Sequence, residues 1–103
     1  MIRKRKAVGV SDGGPVVVEI EDVCGPATFE RLPDALSALW GSLRLLPLGA
    51  VQADAFRYFL TRPQAADHVA EFIRRDGRID LAFAMDGRSH YVRIRPADKA
   101  EPN

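Results

Sequence analysis

The chain has 103 residues, is 47% hydrophobic and 28% charged, and carries a formal net charge of +1. That length predicts one domain with a core needing neither disulfides nor a structural metal, and the apolar content excludes a disordered polymer. No apolar run nears the ~18 residues of a membrane span, and the single cysteine, Cys24, cannot form an internal disulfide.

A reducing, cytoplasmic setting is the expectation from that lone thiol. The basic start Arg3-Lys4-Arg5-Lys6 is not followed by an apolar segment of signal-peptide length. Those four residues leave 11 basic against 14 acidic side chains, so the rest of the chain sums to −3. Residues 1–6 are expected to be a flexible basic arm, 7–96 a single domain and 97–103 a disordered polar tail.

In chain order, Val8 and Val10 begin a short strand. Residues 11–15, Ser-Asp-Gly-Gly-Pro, read as a loop. Val16 to Glu21 alternates as a strand, with Val16, Val18 and Ile20 on one face. Asp22 to Pro26 reads as a turn, and 27–30 as a third short strand. Pro33 opens a helix to about Leu45, with Leu32, Leu36, Leu39, Trp40 and Leu43 on its apolar side. Leu46-Pro47-Leu48-Gly49 breaks it. A second helix follows from about Val51 to Leu60, with Val51, Ala55, Phe59 and Leu60 as its buried side. Thr61-Arg62-Pro63-Gln64 fits a capping box for a third helix. Ala66, Val69, Ala70 and Ile73 form its stripe, widened by Phe72, with Glu71 and Arg75 spaced to pair. Gly77 stops it.

The last predicted elements form a hairpin that can be read residue by residue. Asp86-Gly87 suits a two-residue type I′ turn, whose central positions both need positive φ. Met85 then faces Arg88, Phe83 faces His90, Leu81 faces Val92 and Ile79 faces Ile94. The other face sets Ala84 against Ser89, Ala82 against Tyr91, Asp80 against Arg93 and Arg78 against Arg95. A slip of one residue would scramble both faces. Strands at the ends and helices in the middle predict an α+β fold. Two hairpins should join in a mostly antiparallel sheet, with about three helices packed on one face.

Chemistry is thinly marked. Cys24 lies in no nucleophile motif and reads as a small, partly buried turn residue. His68 lies beside the polar stripe of the third helix. His90 reads as a core-edge residue with one nitrogen bonded and one in solvent. No Cys/His pair has metal spacing, so no metal, catalytic residue or cofactor is expected. Gly13-Gly14 joins strands and leads into Pro15, unlike a phosphate cradle.

Two functional readings follow. In the first, the chain is a small non-enzymatic binding or regulatory module. A protein partner or a second copy would meet the hairpin face or edge through Arg78, Ala82, Tyr91, Arg93 and Arg95, since small residues around Tyr and Arg suit such patches. The final strand would be an edge open to pairing, and the apolar linker 45–48 would be a second contact or tucked into the core. In the alternative, three helices then a hairpin follow the order of a winged helix–turn–helix. Arg3, Lys4, Arg5, Lys6, Arg88, Arg93 and Arg95 would then meet nucleic-acid phosphates. Asp67 and Glu71 on the recognition face count against it.

Overall fold

The computed structural model describes residues 14–97. The basic arm at 1–6, the strand expected at Val8 and Val10, and the tail beyond 97 lie outside the described residues. The elements are β1 (Val16–Ile20), β2 (Cys24–Phe29), α1 (Leu32–Leu43), α2 (Gly49–Thr61), α3 (Ala65–Asp76), β3 (Ile79–Met85) and β4 (Arg88–Pro96). The four strands form one antiparallel sheet in the order β2-β1-β4-β3. The fold is α+β.

The β3–β4 ladder runs from Met85 opposite Arg88 to Ile79 opposite Ile94, in the register the turn dictates. Asp86 and Gly87 take φ of 56° and 76°, as the turn type requires. Arg78 stands outside this ladder. It turns back to Asp80, with Nε 3.1 Å from Oδ2, and so escapes the pairing with Arg95.

The chain's two hairpins meet along β1 and β4, from Val16 opposite Pro96 to Ile20 opposite Val92. Ala97 adds a backbone bond to Pro15 at 2.9 Å, so order reaches at least one residue into the segment expected to be tail. β4 is therefore a central strand, which corrects the expectation that it is an edge. Among the described residues the edges are β2 and β3.

β2 begins at Cys24 and runs through Gly25-Pro26, where a turn was expected. Between the pairs Val18–Ala27 and Ile20–Cys24 the register shifts. Gly25 and Pro26 thus stand opposite Glu19 alone. Such a bulge accommodates a proline on an edge strand without a lost ladder bond.

The core lies between the sheet's inner face and the helices. Val16, Val18, Ile20, Ile79, Phe83, Val92 and Ile94 meet Leu32, Leu36, Leu39 and Leu43 of α1, Phe56 and Leu60 of α2, and Val69 of α3. α1 ends at Leu43, two residues before the expected Leu45. Tightened turns from Leu45 N–H to Ser42 and from Leu46 N–H to Leu43 satisfy its last carbonyls.

The phase of α2 differs from the expectation. Val51 is 84% exposed, whereas Phe56 is 7% exposed; Ala55 is also exposed. Phe59 and Leu60 turn inward as expected, joined by Gln52 and Phe56 in place of Val51 and Ala55, at the spacing of one helical face.

The capping box before α3 does not form. Thr61 belongs to the last turn of α2, where its hydroxyl donates to the Arg57 carbonyl at 2.6 Å. Gln64 stands at the N-cap without a side-chain capping bond. Phe72 is 39% exposed and Ala65 takes a core place. Glu71 pairs with Arg74, not Arg75, which lies over the Phe72 ring at 4.9 Å. Gly77 ends α3 at φ 89°, donating to Ile73 at 2.7 Å, as expected.

Candidate functional site

An edge strand carries backbone groups that need partners. In an antiparallel ladder, alternate residues of β3 point their N–H and C=O toward β4, and the others point away. Ala84 points away. Its N–H donates to Gln52 Oε1 at 2.8 Å, and its carbonyl accepts from Gln52 Nε2 at 2.8 Å. The side-chain amide of a helical residue thus closes the ladder as a neighbouring strand would. The second Nε2 hydrogen goes to the Leu48 carbonyl at 2.9 Å, so both amide donors are used.

By the same alternation, Asp80 and Ala82 also direct their backbone groups outward. Neither has a backbone partner on that side among the described residues. Beside them an apolar groove of about 420 Å³ runs between α2 and β3, lined by Gln52, Ala55, Phe59, Leu81 and Ala82. A second hollow of about 210 Å³ continues past Phe59 and Leu81 to Phe72, Asp76 and Arg78. Tyr58 and Phe72 are 64% and 39% exposed along this side. Arg62 lies over the Tyr58 and Phe59 rings at 5.0 and 5.8 Å.

The outer sheet face holds the residues proposed from sequence. Ala82, Tyr91, Arg93 and Arg95 share that face by strand alternation, and Arg78 joins them through Asp80. Asp80 accepts from Arg78 and also stands 3.8 Å from Arg93. Arg93 lies over Tyr91 at 5.4 Å. Arg95 has no acidic partner among the described residues. In the linker, Leu45 is 78% exposed and Pro47 is exposed, Leu46 is half-buried, and Leu48 alone is tucked into the core.

Arg88, Arg93 and Arg95 of the nucleic-acid reading lie along β4, the last two on the outer face. α3, the expected recognition helix, packs on the inner side. Arg93 and Arg95 lie on the opposite face of the sheet from α3. The exposed residues of α3 include Asp67 and Glu71.

His90 departs from its sequence reading. It is 3% exposed, with Nδ1 3.2 Å from Asp22 Oδ2 and Nε2 3.2 Å from the Met85 carbonyl. Both nitrogens are engaged and neither faces solvent. Its ring stacks on Phe83 at 5.4 Å. Asp22 is 68 positions away in sequence, so no local pattern could have found this contact. Glu21 joins the same cluster. Cys24 is exposed, not partly buried, and His68 lies exposed on α3.

Among the described residues no helix is long and apolar enough to cross a membrane. Comparison with protein-family models, with curated proteins and with solved structures finds no match.

Proposed function

We propose that this chain is a non-enzymatic protein-binding module that accepts an extended segment of a partner protein along the open edge of β3. One observation supports the reading above the rest: the outward backbone groups lie directly beside apolar hollows, Ala82 at the groove against α2 and Asp80 at the hollow that continues it. Strand addition uses such an edge for affinity and flanking pockets for selectivity.

The magnitudes define the ligand. Asp80 and Ala82 offer four backbone groups, worth about 1 kcal/mol net each when bonded. That total does not offset the roughly 4–15 kcal/mol lost on association. Apolar anchors must supply the difference, and covering a ring such as Tyr58 or Phe72 contributes about 1.5–3 kcal/mol. The partner segment is therefore extended and carries apolar side chains at alternate positions.

The test uses the full chain as bait in host lysate, with and without nuclease, beside an Ala82→Pro variant. The Ala82 N–H points away from β4, so proline there removes no ladder bond and blocks only the edge. A stoichiometric partner should survive nuclease, be lost with Ala82→Pro, and slow amide exchange at Asp80 and Ala82. Binding untouched by the proline refutes the edge. Retention that collapses with nuclease favours the arginines as a nucleic-acid site instead.

A further inference from the structure

The β1–β2 turn and β4 bring three metal-ligating side chains together, away from the β3 edge. Donor atoms of Glu21, Asp22 and His90 all lie within 4.8 Å of one another. His90 is held rigidly there. Its ring is buried against Phe83, and Nε2 faces the Met85 carbonyl. A carbonyl only accepts, so a hydrogen bond to Met85 assigns a hydrogen to Nε2. Nδ1 of the neutral ring then aims a lone pair at Asp22 Oδ2, a second acceptor, only 3.2 Å away. Two acceptors at that distance call for a positive species between them.

The charge around them is unbalanced. Among the described residues, Asp22 forms an ion pair with no side chain except His90, and Glu21 forms none. Glu21 is steadied by the Tyr91 N–H, which donates to its Oε1 at 3.1 Å. A proton on Nδ1 offsets one of the two negative charges, and a divalent cation offsets both.

We propose that Glu21, Asp22 and His90 form a site for a divalent first-row transition ion, with zinc as the probe. Nitrogen and oxygen ligands about 2.0–2.2 Å from one ion stand roughly 2.8–3.6 Å apart, from octahedral to tetrahedral angles. The Nδ1–Oδ2 separation of 3.2 Å falls within that span, and the set, all within 4.8 Å, closes the remainder by side-chain rotation on binding. A metal-bound imidazole usually donates its other N–H to a carbonyl or carboxylate, and Met85 supplies that support here. Three protein ligands leave further positions for water. The bound ion ties the β1–β2 turn to the tip of the second hairpin. This site stands apart from the strand-addition reading and neither depends on the other.

The experiment is calorimetric titration of the metal-free full chain with zinc chloride, paired with long-range ¹H–¹⁵N spectra of the histidine rings. One equivalent should bind and move His90 Nδ1 while leaving His68 in place. Asp22→Asn is the key variant, because asparagine tolerates the positive φ of 66° at this position. Affinity should fall at least about tenfold in Asp22→Asn and in Glu21→Gln. Cys24→Ser, close by on the same hairpin, should bind as the parent does. An unmoved His90 Nδ1 after one equivalent overturns the proposal and leaves a proton as the positive species. So does unchanged affinity in Asp22→Asn, or binding lost in Cys24→Ser.

Discussion

Replacing Gln52 tests whether the end of the β3 edge is held by one side chain. Gln52 makes three hydrogen bonds at 2.8 to 2.9 Å, two of them to Ala84. Each contributes about 0.5–1.5 kcal/mol net, and water reaches the two made to Ala84, so the lower half of that range applies. Gln52→Ala should therefore cost about 1.5–3.5 kcal/mol. With a urea m-value of roughly 2 kcal/mol per molar, the midpoint should fall by about 0.8–1.8 M. Gln52→Glu is the sharper variant. Its carboxylate still accepts from Ala84 N–H, but it places oxygen against the carbonyls of Ala84 and Leu48 where the amide donated. It should be at least as destabilised as Gln52→Ala at neutral pH. Amide exchange reports the location: protection at Ala84 should drop in both variants, while Phe83, bonded across to β4, keeps its own. Parent-like stability in Gln52→Ala, or unchanged exchange at Ala84, would refute the reasoning.

Three other outcomes are expected. Val51→Ala should change stability by less than about 0.5 kcal/mol, whereas Phe56→Ala should cost about 3–5 kcal/mol; denaturant melts of the two check the phase of α2. Gly87→Ala should destabilise by about 1–2 kcal/mol, since its φ of 76° is costly for a residue with a Cβ. The same melts read it. Tyr91→Ala and Arg95→Glu probe the outer face and leave Asp80 with its Arg78 and Arg93 partners. Partner capture should persist in both and fail in Ala82→Pro, a contrast that a pull-down reads directly.

The hairpin was legible in the sequence because Asp86-Gly87 sets an origin and alternation carries the register outward from it. Every pair from Met85–Arg88 to Ile79–Ile94 follows. Helix α1 was legible because leucines recur at 32, 36, 39 and 43. Helix α2 was harder. Its inward face includes Gln52, a polar residue whose partner is a strand backbone 32 positions away, and an apolar count places Val51 there instead. The capping box failed for a related reason: Thr61 has a competing acceptor in its own helix, the Arg57 carbonyl. Edge and centre were not legible at all. β3 and β4 each pair with the other, and nothing local states which of them also takes β1. That decided the site, since it moved the open edge from the final strand to β3. The outer-face residues were found from sequence, but the groove of α2 beside that edge was not.

The central place of β4 also governs how the chain can assemble. Each hairpin closes through neighbours in sequence, within microseconds. Joining them pairs residues about 70 to 80 positions apart, across all three helices. Such distant pairing carries most of the entropy of closure and sets a slow step. During synthesis, β1 and the helices emerge long before β4 and have no sheet to complete. Until that strand arrives, the inner edges of β1 and β3 both stand bare. A transcript cut short before Arg88 would yield a chain with β1 and β3 unpaired along those edges, prone to stick to its own copies.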